Sequence, residues 1–148
     1  MSSGVVEAMH ISPGTGEPLH ALESVNVRSG VGLEGDRYAL GLGHYSHDLR
    51  VSRDLTLVEA EVVEELELAP GETRRNLTTR GVRLNELLGR RFRVGEILCE
   101  GTRLCEPCQH LVDLTGKPLL RALVHRGGLR ADILEDGEIR VGDRISLA

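Results

Sequence analysis

The segment Leu104-Cys105-Glu106-Pro107-Cys108-Gln109-His110-Leu111 carries two thiols in C-x-x-C spacing with a histidine beside them. Such a pair serves zinc binding, thiol–disulfide exchange or a nucleophilic thiolate, and the flanking residues choose among these. A structural zinc site needs four ligands, and the other paired candidates are His44 and His47, spaced H-x-x-H in a Gly-rich loop. Thioredoxin-like exchange needs the first cysteine at a helix N-terminus, and Pro107 ahead of Cys108 opposes a helix that starts at Cys105. The third reading makes Cys108 a single working thiolate. Held in an extended loop by the proline, with arginines nearby in the fold to lower its pKa, it could carry a persulfide or ligate a soft metal. Cys105 is then a resolving or bystander thiol, His110 a candidate base, and Cys99, in an apolar strand, a core residue.

Two further segments supply polar groups of a different kind. Thr73-Arg74-Arg75-Asn76-Leu77-Thr78-Thr79-Arg80-Gly81 offers two forked guanidinium donors, an amide and hydroxyls, a set suited to a phosphate or a pterin edge. Arg74, Arg75, Asn76 and Thr79 are therefore candidate cofactor-binding residues. The same composition also suits a solvated strand edge, where charge discourages aggregation. In Gly32-Leu33-Glu34-Gly35-Asp36-Arg37-Tyr38 the glycines signal a turn, and Arg37 is either a second anion contact or an ion-pair partner of Asp36.

Composition narrows the classes of partner. The chain has 148 residues, 40% hydrophobic and 28% charged, which fits one globular domain spanning 1–148. Its net charge of −5 and the lack of any basic run disfavour nucleic acid, as do its aromatics, which are Tyr38, Tyr45 and Phe92 alone. Lys117 is the sole lysine, which leaves one candidate for a Schiff base with pyridoxal phosphate. With no apolar run near the ~20 residues that span a bilayer and no export signal, a cytoplasmic protein without membrane association is expected.

The elements that must position these groups read mainly as short strands broken by glycine. Val25 to Arg28, Arg91 to Val94, Ile97 to Arg103, Leu129 to Leu134 and Glu138 to Val141 are rich in branched residues. Asp136-Gly137 signals a two-residue hairpin, and Arg-Val-Gly-acid, present at Arg93 and again at Arg140, suggests one β-corner used twice. Thr56 and Glu59 fit a capping box ahead of a helix from about Leu57 to Glu67, with Glu61, Glu64, Glu65 and Glu67 as its solvated face. Leu84 to Leu88 reads as a helical turn closed by Gly89, and Lys117 to His125 as a helix with Pro118 in its first turn. Short strands with a few surface helices predict a closed or partly closed β-barrel.

Taken in order, Gly32-Leu33-Glu34-Gly35-Asp36-Arg37, Leu55-Thr56-Leu57-Val58-Glu59-Ala60-Glu61, Arg75-Asn76-Leu77-Thr78-Thr79-Arg80-Gly81-Val82, the Cys-Glu-Pro-Cys stretch and Gly127-Gly128-Leu129-Arg130-Ala131 resemble a stand-alone bacterial MOSC domain, the molybdenum cofactor sulfurase C-terminal type. The resemblance spans nearly the whole chain. It implies a mainly β fold with a few short helices, a MOSC-type β-barrel similar to the pyruvate kinase β-barrel. It also implies that Cys108 matches the family cysteine, which carries sulfur from a pyridoxal-phosphate cysteine desulfurase or ligates molybdenum. The family's cofactor-side arginine and asparagine fall on Arg74 or Arg75 and Asn76, and its Asp-Arg pair on Asp36-Arg37. Molybdenum cofactor (molybdopterin) is thereby the expected cofactor, pyridoxal phosphate being carried by a partner enzyme. Reduction of an N-hydroxylated small molecule would draw electrons from a donor protein, since no flavin, haem or iron–sulfur motif is present. The contrasting reading is a non-catalytic zinc- or cofactor-binding module built on the C-x-x-C pair.

Overall fold

Alternate positions along neighbouring segments are apolar and buried, and this period of two is what lets a sheet close around a core. The computed structural model of the chain describes residues 4–12, 20–36, 54–68, 73–105 and 127–148. They form β1 (Gly4–Ile11), β2 (His20–Leu22), β3 (Ser24–Arg28), β4 (Gly32–Leu33), β5 (Leu55–Glu59), α1 (Ala60–Glu65), β6 (Leu77–Arg80), a 3-10 turn at Leu84–Leu87, β7 (Arg91–Val94), β8 (Ile97–Leu104), β9 (Leu129–Ile133), β10 (Gly137–Arg140) and β11 (Arg144–Leu147). The larger sheet runs β11-β7-β8-β9-β5-β6-β1-β2, and pairing of β1 with β11 closes its first seven strands into a barrel. All pairs are antiparallel except β5 with β6. A second sheet, β10-β3-β4, packs Val25, Val27, Leu33 and Ile139 into the same core. The expected β-barrel with few helices is thus the fold. Among the described residues no helix is long and apolar enough to cross a membrane.

The five strands expected from branched-residue runs are found at β3, β7, β8, β9 and β10, within a residue or two of the expected limits. Three local expectations are corrected. Leu57 to Glu59 are strand, not helix, and α1 spans only Ala60–Glu65 without a side-chain cap. Burial on both faces explains the difference: Leu55 and Leu57 enter the barrel core while Val58 joins Val62, Val63 and Leu68 in a smaller cluster. Asp136-Gly137 makes no hairpin, because the chain leaves the barrel there: β9 pairs with β8 and β5, whereas β10 pairs with β3. Asp136 instead accepts a hydrogen bond from Ser29 N at 2.8 Å.

The repeated Arg-Val-Gly-acid sequence serves two purposes rather than one. Gly95, at φ 60°, turns β7 tightly into β8, with Val94 opposite Ile97, while Gly142, at φ 96°, carries the chain from the small sheet into the barrel. The two copies meet, since Gly95 N donates to Arg144 O at 2.8 Å and a Cβ at Gly95 would lie 2.7 Å from Asp143 Oδ2. The expected turn at Leu84 to Leu88 is the 3-10 turn, followed by Gly89 at φ 75°. The helix expected from Lys117 to His125 lies outside the described residues.

Candidate functional site

Antiparallel pairing of β1 with β6 sets Met9 opposite Leu77, both in the core. One residue further along β1, alternation sends His10 to the other face, opposite Asn76, and His10 N donates to Asn76 O at 2.7 Å. The Asn76 side chain then joins three segments. Its Oδ1 accepts from Thr56 N and from Thr56 Oγ1, both at 3.1 Å, and its Nδ2 donates to His10 O at 3.2 Å. Asn76 N donates back to Thr56 Oγ1 at 2.9 Å. The threonine read as a helix cap is therefore half of a buried amide–hydroxyl junction between β5 and β6.

Beyond His10 the strand ends at Ser12, which is fully buried. Ser12 N donates to Asp36 Oδ1 at 3.0 Å, and Arg74 Nη2 lies 3.4 Å from Ser12 Oγ. Arg74 holds a left-handed backbone, φ 62°. His10 itself is 5% exposed, and its Nδ1 is buried without any hydrogen-bond partner. Burial holds its imidazole below the ordinary histidine pKa, so the ring is neutral near pH 7. Nothing in the sequence reading singled out His10. The available signal was its place in β1, where it alternates with Met9 on a strand that then ends in a buried serine.

Arg75 turns the other way. At 9% exposure, its Nε donates to Gly127 O at 2.9 Å and its Nη1 to Thr73 O at 3.3 Å. Among the described residues no carboxylate pairs with it. Both of these bonds end on neutral carbonyls, so the described residues offer this nearly buried cation no opposite charge. Gly127 packs on Cys105, where a Cβ would run into Cys105 O, and Cys105 N donates to Gly128 O at 2.8 Å. The Arg75 guanidinium therefore sits at the end of β8 beside Cys105, three residues ahead of Cys108.

The remaining sequence candidates divide as follows. Thr79 is fully buried and its Oγ1 donates to Val58 O at 3.4 Å. Cys99 is buried, as expected of a core residue, and desolvation, with Asp54 and Glu135 adding to it, pushes its thiol up to about 12. Cys105 is a free, buried thiol. Arg37, His44, His47, Cys108 and His110 lie outside the described residues. Among the described residues no group of three His, Cys, Asp or Glu side chains could hold a metal ion. The glutamates of α1 do more than face water, since Arg80 binds Glu64 at 2.7 Å and Glu7 at 2.6 Å while Glu61 accepts from Gly81 N at 2.9 Å.

The family model for the MOSC domain matches residues 44–146, more than half of the chain. The chain belongs to the MOSC domain family. Solved structures share the fold at low identity. The YuaD protein from Bacillus subtilis superposes with a TM-score of 0.75 at 16% identity, covering 98% of this chain and 97% of that one. YiiM from Geobacillus stearothermophilus gives 0.71 at 16% identity, over 98% of this chain and 75% of that one. YiiM from Escherichia coli gives 0.66 at 20% identity, over 100% and 70%. No curated protein matches the chain. In this MOSC domain the described sequence candidates gather at the closely packed start of β6, where Arg74 and Asn76 lie by the end of β1 and Arg75 by the end of β8.

Proposed function

We propose that this MOSC protein binds a molybdopterin-type anionic cofactor, with Arg75 and Arg74 on its anionic groups and Cys108 as its thiolate ligand. The observation that carries the reading is the nearly buried Arg75 guanidinium, which donates to two carbonyls and, among the described residues, meets no carboxylate. Buried cations are ordinarily paired, and an oxyanion would supply the missing partner. Three N–H donors remain on that fork after the two carbonyl bonds, enough for a bidentate contact. The donor set thus fits the group, whose metal would supply oxygen-atom transfer to an N-hydroxylated small molecule, with electrons from a donor protein.

The chain's own residues have simpler tasks. Arg75 offers charge and a planar fork, and Gly127 O and Thr73 O hold that fork in place. Arg74 brings a second guanidinium to the end of β1. Asn76 and Thr79, whose side chains bond to the protein, act as positioning residues. Arg37 adds a further cation in the segment after Asp36. A cytoplasmic setting goes with this reading, since it needs Cys108 reduced.

Titration of apo-protein with molybdopterin cofactor tests the proposal. Arg75→Lys keeps the charge but loses the fork, and a charge-assisted bond of about 1.5–3 kcal/mol corresponds to an affinity loss of about ten-fold or more. Cys108→Ser is expected to weaken metal retention as well. Equal affinities for wild type and Arg75→Lys would remove Arg75 from the site. Absence of binding by wild type, together with a persulfide formed on Cys108 by a cysteine desulfurase, would replace the proposal with sulfur carriage.

A further inference from the structure

The chain that leaves β8 at Cys105 returns to β9 at Gly127, and Cys108 lies in the sequence between them. The ladder between the two strands runs from Cys99 opposite Ile133 to Leu104 opposite Leu129, and Cys105 N extends it by donating to Gly128 O at 2.8 Å. One residue beyond that bond, Gly127 is held from a different strand. Arg75, two residues ahead of β6, donates from Nε to Gly127 O at 2.9 Å and from Nη1 to Thr73 O at 3.3 Å. Two glycines make this convergence possible. A Cβ at Gly127 would run into Cys105 O and one at Gly128 into Leu57 O, so the ends of β8 and β9 meet β5 and the Arg75 side chain where no further side chain fits. The last bonds of a ladder ordinarily fray, whereas this end is pinned by a planar fork whose direction the second bond, to Thr73 O, fixes.

We infer that Arg75 is a positioning residue for Cys108: by tying Gly127 to the start of β6 it clasps the neck of the segment 106–126 and so sets where that segment presents its thiol. The inference deepens the preceding proposal and rests on it in taking Cys108 as the working thiol. Cys108 is three residues past the clasped Cys105, and three residues of chain reach at most about 11 Å, so a shift of the neck carries to the thiol. After two bonds to carbonyls the guanidinium keeps further N–H groups. One side chain thus serves both the anion and the segment that carries the thiolate ligand.

The test uses the full chain without cofactor and two substitutions that open the neck from opposite sides. Arg75→Lys keeps the charge but loses the fork, and Gly127→Ala keeps Arg75 but forces a Cβ against Cys105 O. Amide hydrogen exchange of Cys105 N–H is expected to be about ten-fold faster or more in each variant, since one decade matches the loss of a single such bond. Gly101 N–H, which donates to Arg90 O at 2.9 Å four residues earlier in the chain, is expected to keep its wild-type protection. The rate of Cys108 alkylation is expected to change in the same sense in both variants, because both open the same neck. Wild-type exchange at Cys105 N–H in both variants, equal acceleration at Gly101 N–H, or alkylation of Cys108 that responds to Arg75→Lys alone would each overturn the inference. If neither variant folds, the wild type decides: protection of Cys105 N–H equal to that of Gly101 N–H supports the clasp, and free exchange there refutes it. Because no cofactor is present, failure of molybdopterin binding bears on the preceding proposal and leaves this result unchanged.

Discussion

Replacing Asn76 with alanine separates a residue that builds the site from one that only touches a ligand. The substitution removes the acceptor for Thr56 N and Thr56 Oγ1 and the donor to His10 O, all in a buried junction. Two backbone groups, the Thr56 N–H and the His10 carbonyl, lose these partners, and an unsatisfied buried group costs about 1–3 kcal/mol, giving about 2–6 kcal/mol in all. For a chain of this size that corresponds to a melting temperature lower by roughly 4–24 °C. Urea unfolding and thermal scanning of apo-protein measure it directly. Asn76→Asp sharpens the assignment, because it keeps an acceptor for Thr56 but turns a carboxylate oxygen toward His10 O. Its aspartic acid would have a folded pKa raised above the unfolded value, so the variant's stability is greatest below about pH 4 and falls as pH rises through the folded pKa. A change in Asn76→Ala within about 0.5 kcal/mol of wild type, the range of an ordinary surface substitution, would refute the junction.

Other consequences are as direct. In native protein at pH 8, limiting alkylation followed by mass spectrometry is expected to label Cys108 first and to leave Cys99 untouched until the chain unfolds, since the Cys99 thiol is buried and held near 12; early labelling of Cys99 would contradict the packing of β7 on β8. Gly128→Ala should destabilise by about 2 kcal/mol or more, because φ +109° strains any L side chain and its Cβ would run into Leu57 O; denaturant midpoints check it. His10 lies below its ordinary value of 6.5, so its contribution to stability is present above that pH and is lost as pH falls through the folded pKa. The acid slope of stability should accordingly flatten in His10→Asn, and an unchanged slope would mean that His10 charges freely in the folded protein.

The strands were readable because their period of two reflects a physical constraint that acts locally. Phe92, Val94, Ile97 and Cys99 alternate with less buried neighbours, and all four are buried. Leu55-Thr56-Leu57-Val58-Glu59 misled the helix expectation because its apolar residues satisfy both periods, and the choice was made by partners distant in sequence. β6 lies parallel on one side, β9 antiparallel on the other, and both faces of the strand are covered. Asp136-Gly137 misled in a similar way. The dipeptide suits a tight turn, but Ser29 and Val27, more than a hundred residues earlier, hold it in the crossing between sheets.

The cluster Thr73-Arg74-Arg75-Asn76 was legible as a polar set, while the division of labour within it was not. Four consecutive residues approaching a strand cannot all face one ligand, because alternation sends neighbours to opposite sides. Arg74 and Asn76 accordingly meet the end of β1, at Ser12 and His10, while Arg75 reaches Gly127 at the end of β8. Arg74 achieves its direction with a left-handed backbone at φ 62°, a conformation costing about 1–2 kcal/mol for an L residue that a glycine would avoid. Arg75, nearly buried and among the described residues without a carboxylate, is the harder of the two to explain by stability, since burying a cation on neutral carbonyls is costly. On the proposed reading an anion bound by the end of β8 would offset the cost at Arg75, because its guanidinium would gain a charged partner that the described residues do not provide.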